Sequence, residues 1–147
     1  MRHNKSGRKF SLTPDARKAL LRSITDSLVA KGRIKTTVTR AKEDRKIAEN
    51  LVTLAKKNTL SARREALEWL TTKDAFKRLF SEYADTFKTR NGGYTRITKC
   101  GYRAGDNAPM AYLEYILETA ETKKAAPKRK RRRSTKKADT EETAKAE

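Results

Sequence analysis

Two strand-like runs, YTRITKC (Tyr94–Cys100) and MAYLEYILE (Met110–Glu118), enclose the segment Gly101–Pro109, GYRAGDNAP. β-Branched and aromatic residues bounded by a Gly/Asn/Pro cluster predict an antiparallel hairpin. Every longer periodicity upstream is helical, so this hairpin restricts the chain to an α+β fold. The enclosed loop exceeds the usual hairpin length of about two to five residues, and long ordered loops in compact domains tend to be functional. Its role is the question the rest of the sequence must answer.

A third strand is predicted at RIKTTV, where Ile34, Thr36 and Val38 alternate with Arg33, Lys35 and Thr37. It is half-buried with a basic outer face. The helix before it opens on TPDARKAL, with Thr13 as N-cap, Pro14 at the first helical position and Asp15 in the first turn. Ala16, Leu20, Ile24 and Leu28 are spaced as one buried stripe, and Lys31–Gly32 stops the helix. Thr39 caps a second helix with Ile47, Leu51 and Leu54 in one row and Ala48, Val52 and Ala55 beside it. A third, shorter helix turns Ala66, Leu67, Trp69 and Leu70 inward. A fourth carries Phe76, Leu79, Phe80, Tyr83 and Phe87, a stripe whose spacing is that of core. The order predicts a two-layer α/β domain: one small mixed three-stranded sheet, helices packed on one face, the other face open and polar.

Charge divides the chain into parts. Lysine and arginine number 37 against 18 acids in 147 residues, a net charge of +19. Residues 1–12 hold Arg2, Lys5, Arg8 and Lys9 and no acid, which predicts an extended basic arm. Residues 13–118 are the globular domain. Residues 119–147 carry no apolar side chain larger than Ala or Pro, so they cannot offset the entropy of ordering and are expected to be a disordered tail. No apolar run approaches the ~18 residues of a membrane span, and no secretory signal is apparent. The single cysteine fits a reducing, cytoplasmic compartment.

Catalysis needs a constellation that this inventory lacks. The only histidine, His3, lies in the arm, and Cys100 is most simply a small buried hydrophobe. No zinc spacing and no phosphate-binding glycine motif occurs. The carboxylates Glu65, Glu68, Asp74 and Glu82 fall on solvent faces. Neither an enzyme, a cofactor, a metal nor a small-molecule substrate is expected. What remains is charge with geometry. Arg33 and Lys35 face one way on the first strand; Arg90, Arg96, Lys99 and Arg103 lie on or near the hairpin, with Tyr94 and Tyr102 among them. Cations interleaved with aromatics and glycines suit RNA, because guanidinium forks bind phosphates and rings stack on unpaired bases. Asp106 either holds the turn or orients Arg103. A DNA-architectural protein is the alternative that a basic body and tail would also serve.

MRHNKSGRKF at the start, IKTTVTRAKEDR in the middle and GGYTRITKCGYRAGDNAPMAYLEY in the hairpin resemble the ribosomal protein seventeen family of the bacterial large subunit. The resemblance runs from about Met1 to Glu118 and departs from the family pattern at Ala16 and Ser23. It implies a structural role: binding large-subunit (23S) rRNA near the exit of the nascent-chain tunnel, with ribosomal protein thirty-two as a neighbour. Candidate RNA contacts are then Arg2, His3, Lys5, Arg8 and Lys9 in the arm, with the strand and hairpin residues named above.

Overall fold

The computed structural model describes residues 7–117. Helix α1 spans Pro14–Lys31, strand β1 Arg33–Thr37, α2 Val38–Lys57 and α3 Leu60–Trp69. Helix α4, Lys73–Arg78, runs through a π turn, Leu79–Tyr83, into the short α5, Ala84–Thr86. Strands β2, Thr95–Tyr102, and β3, Pro109–Tyr115, close the fold. The boundary placed at residue 118 and the expected tail lie outside the described residues. No helix among the described residues is long and apolar enough to cross a membrane.

The three strands, the helical layer and the hairpin are as expected, but the sheet is antiparallel throughout rather than mixed. Its order is β1-β3-β2. The hairpin makes β2 and β3 antiparallel, and β1 then pairs with the free edge of β3. Strands β1 and β2 do run the same way, but β3 lies between them. The strand richest in apolar residues thus takes the centre, with Ala111, Leu113 and Tyr115 buried on one face, and the two charged strands take the edges.

Element ends show which local preference wins. Thr37 pairs with Met110 and also takes the N-cap position of α2, without a side-chain capping bond, so Val38 begins the helix and Thr39 lies inside it. Pro14 opens α1 as expected, although the Thr13 side chain makes no capping bond. Gly32 ends α1 in the left-handed region at φ 77°, donating to Leu28 O, and its own carbonyl accepts from Tyr115 N at 3.0 Å. That bond fastens the end of α1 to β3.

The core lies between α2 and the sheet. Ala48, Leu51, Val52, Leu54 and Ala55 of α2 are buried as the spacing requires. In α1 the buried side is Thr25, Leu28 and Val29; Leu20 and Ile24 are half-covered and Ala16 is exposed, because the helix end that holds Ala16 runs past the packed layer. In α3 the buried row is Ala62, Ala66 and Leu70, leaving Leu67 53% exposed and Trp69 at the margin. The aromatic stripe is core: Leu79, Tyr83 and Phe87 are buried, with Phe76 and Phe80 packed against them. Tyr83 meets Tyr115 at 4.5 Å between ring centroids and Phe87 meets Tyr94 at 5.2 Å, locking the helical segment to the hairpin. Full burial of such a side chain is worth roughly 1.5–3 kcal/mol.

Candidate nucleic-acid interface

Strand alternation and the helical layer leave one face of the sheet open. On that face Arg33, Glu114 and Arg96 stand in one row across β1, β3 and β2, and Lys35, Tyr112 and Thr98 in the next. Glu114 reaches both arginines, at 3.3 Å to Arg33 Nε and 3.9 Å to Arg96 Nη1. The Arg33 guanidinium also lies over the Tyr112 ring, 4.1 Å from its centroid. One carboxylate therefore lies within ion-pair range of two guanidinium forks beside an aromatic ring, while Lys35 remains without an ion pair among the described residues. Such a face offers phosphate-binding forks and a stacking surface side by side.

The hairpin tip is built differently from expectation. Strand β2 continues through Gly101 to Tyr102, which pairs with Pro109, so the irregular turn is Arg103–Ala108. A bulge between Lys99 and Tyr102 places one extra residue on β2, and Gly101 supplies the positive φ of 89° that it needs. Arg103 and Ala108 close the turn through Arg103 N–H to Ala108 O at 2.9 Å. Both roles open to Asp106 are filled. It accepts from Ala108 N at 3.3 Å and from Arg103 at 2.9 Å (Nε) and 2.6 Å (Nη2). The Arg103 guanidinium holds the Asp106 carboxyl down at about 2, and the same contact raises the arginine's own pKa. The fork is thus fixed by two bonds to its own turn while half its surface stays open. Tyr102 beside it is 71% exposed.

Lys99 has the parity of the helix-covered face, opposite to Arg96, but lies at the uncovered end of the sheet and is exposed. Tyr94 is not part of this surface. It is only 5% exposed, packed on Phe87, with the Lys56 ammonium over its ring at 5.5 Å. Its place at the start of the hairpin, where the chain leaves the aromatic cluster, puts it in the core. Arg90 is half-buried, and its carbonyl accepts from Lys56 Nζ at 2.7 Å. In the arm, Arg8 approaches Glu43 of α2 at 3.8 Å and Lys9 is exposed; Arg2, His3 and Lys5 lie outside the described residues. Cys100 is half-buried rather than core. Sequence reasoning passed over Tyr112, Thr98 and Glu114, although the alternation of β3 that buries Leu113 puts Tyr112 and Glu114 on the opposite face.

The buried side of the fold holds one unusual group. Asp44 of α2 is fully buried, with Oδ1 2.5 Å from Thr25 Oγ1. Its Oδ2 and the Tyr115 hydroxyl are buried without a hydrogen-bond partner among the described residues. Desolvation raises the Asp44 pKa from 3.8 to about 7 against the opposing bond from Thr25. It lies on the helical side of the sheet, away from the exposed cations.

The family model described as Ribosomal protein L17 matches residues 20–116. The large ribosomal subunit protein bL17 of Fusobacterium nucleatum is 50% identical over 116 residues, covering 79% of this chain and 100% of that protein. The bL17 proteins of Allorhizobium ampelinum and Agrobacterium fabrum are 45% and 46% identical over 128 residues, each covering 87% of this chain and 91% of the relative. The match spans the three strands, the bulged hairpin and the helices that cover them, and the chain belongs to the ribosomal protein L17 family.

Proposed function

We propose that this chain is a structural constituent of the large ribosomal subunit in the bacterial cytoplasm, where it binds and stabilises the subunit's rRNA. Its work is neutralisation and shape: fixed guanidinium forks and free lysines meet crowded phosphates, and exposed rings meet unpaired bases. No catalytic step is assigned to it. The observation that carries the reading is the exposed basic surface of a chain in this family, the Arg33–Glu114–Arg96 row and the braced Arg103 at the hairpin tip. The position near the tunnel exit and the contact with ribosomal protein thirty-two follow from the family resemblance and belong to the same proposal.

Sucrose-gradient sedimentation of a cell extract at elevated salt tests it, with the protein followed by antibody. Comigration with the large subunit is expected; association with the nucleoid instead would replace this reading with the DNA-architectural one. Arg103→Ala should lower affinity for large-subunit rRNA about tenfold without changing the melting temperature, and Arg103→Lys should restore only part of it. A large melting loss with unchanged affinity would make the turn structural.

A further inference from the structure

A groove of about 360 Å³ runs between α1 and the free edge of β1, lined by Lys31, Arg33, Lys35, Ser23 and Ser27 over Ile24 and Ile34. We propose that this groove holds one strand of rRNA by its phosphodiester backbone. The proposal rests on the rRNA-binding reading above and names a site for it outside the arm and the hairpin tip.

Charge is the first argument. Three cations line the groove and no carboxylate does. Lys31 and Lys35 have no ion pair among the described residues, so their charge is available. Free carbonyls at the C-terminal end of α1 would repel an anion. Here three of the last four are occupied. Leu28 O accepts from Gly32 N at 2.7 Å, Val29 O from the Tyr83 hydroxyl at 3.0 Å, and Ala30 O from the Arg78 guanidinium. The negative pole is covered by donors at the place where the groove ends.

The edge of β1 favours RNA over a peptide. β1 is an edge strand with no strand on its outer side among the described residues. An added peptide strand could pair there, but lysine and arginine along an edge oppose strand addition. The same side chains attract a polyanion, and the two serine hydroxyls add donors for phosphate oxygens. Arg33 belongs both to the groove and to the stack on Tyr112, so a strand lying in the groove leaves its bases beside that stack.

The test uses the full chain and a transcript of its own large-subunit rRNA. Binding is measured from low to high salt for wild type, Lys31→Ala/Lys35→Ala and Lys31→Arg/Lys35→Arg. Each phosphate contact contributes about 0.7–0.9 to the slope of log K against log salt. The alanine pair should therefore flatten the slope by about 1.4–1.8, the arginine pair should keep it, and melting temperatures should agree. An unchanged slope in the alanine pair, with wild-type binding intact, overturns the groove and leaves the rRNA reading standing. Absence of salt-dependent rRNA binding by wild type overturns both. Independently, an aryl azide on Ser27→Cys, in a Cys100→Ser background, should crosslink to rRNA in assembled subunits. A crosslink to protein would overturn the occupant.

Discussion

Replacing Asp44 with asparagine should remove the pH dependence that this buried carboxyl gives the fold. Thr25 Oγ1 has one hydrogen, yet it lies 2.9 Å from Leu21 O and 2.5 Å from Asp44 Oδ1. A carboxylate leaves one of these contacts without a proton. A neutral Asp44 donates its own hydroxyl to Thr25, and Thr25 donates to Leu21 O, so both are satisfied. Among the described residues the titratable group facing it from the sheet is Tyr115, whose own pKa burial pushes well up, with a smaller contribution from Asp44. The folded chain therefore keeps the proton that the unfolded chain releases near 3.8, up to about pH 7. Since the folded state binds more protons across that window, stability is full below it and falls as pH rises through it. The loss amounts to about 4 kcal/mol at 1.36 kcal/mol for each pH unit of the window. In the Asp44→Asn variant an amide N–H replaces the neutral hydroxyl and never ionises. Urea unfolding of both chains at intervals from pH 4 to 8 gives the difference directly, because every other group titrates equally in the two. The variant should gain up to about 4 kcal/mol on wild type between the ends of this range. Parallel pH profiles would refute a protonated Asp44.

Gly32→Ala should cost about 1–2 kcal/mol in thermal melts, because a side chain is strained at φ 77° and its Cβ would lie 3.4 Å from the Tyr83 hydroxyl; an unchanged melt would make the left-handed cap dispensable. Tyr94→Ala should lose about 3–5 kcal/mol of stability as a core deletion, whereas an unshifted melt with weakened rRNA binding would return Tyr94 to the stacking surface. Deleting residues 119–147 should leave the melting temperature in place and flatten the salt dependence of non-specific RNA binding; a chain without cooperative unfolding would show that the domain needs the tail.

The sequence carried the elements further than it carried their partners. Periodicity located the buried rows of α2 and the aromatic stripe, since those rows depend on spacing alone. In α1 and α3 it found Leu28, Ala66 and Leu70 but also turned inward Ile24, which yields to Thr25, and Leu67, which yields to Ala62 and Ala66. The choice between them is made by what each helix packs on, and α2 selects the small Ala62 and Ala66 for close approach. The antiparallel order was similarly hidden, because local pattern cannot say which edge of the hairpin β1 joins. For the site, composition found the exposed arginines, but not that Tyr94 enters the core while Tyr112 leaves it. For Tyr112 the distinction is one of strand parity, visible once Leu113 is known to face α2; Tyr94 precedes β2, where parity would have put it beside Arg96, and it is the contact with Phe87 that buries it.

The exposed cations fall into two kinds, and the difference bears on how the surface meets RNA. Arg33 and Arg96 share Glu114, and Arg103 is bound twice by Asp106. Exposed pairs of this sort add little to stability, because water and salt screen them and the side chains lose entropy on pairing. At Arg103 the effect is instead to hold a planar fork in one orientation, so less freedom would be lost if a phosphate bound its open edge. Lys31, Lys35 and Lys99 have no such partner among the described residues and are compact charges on flexible stems. On the proposed rRNA reading, the arginines would set register at the sheet row and the hairpin tip, while the lysines would supply attraction that tolerates an irregular backbone. Removing Asp106 should accordingly weaken RNA binding even though it removes a negative charge, because the fork it aligned becomes free to rotate. Asp106→Ala compared with wild type in the same salt titration decides between alignment and charge: tighter binding at every salt concentration would mean that the carboxylate only opposes the RNA.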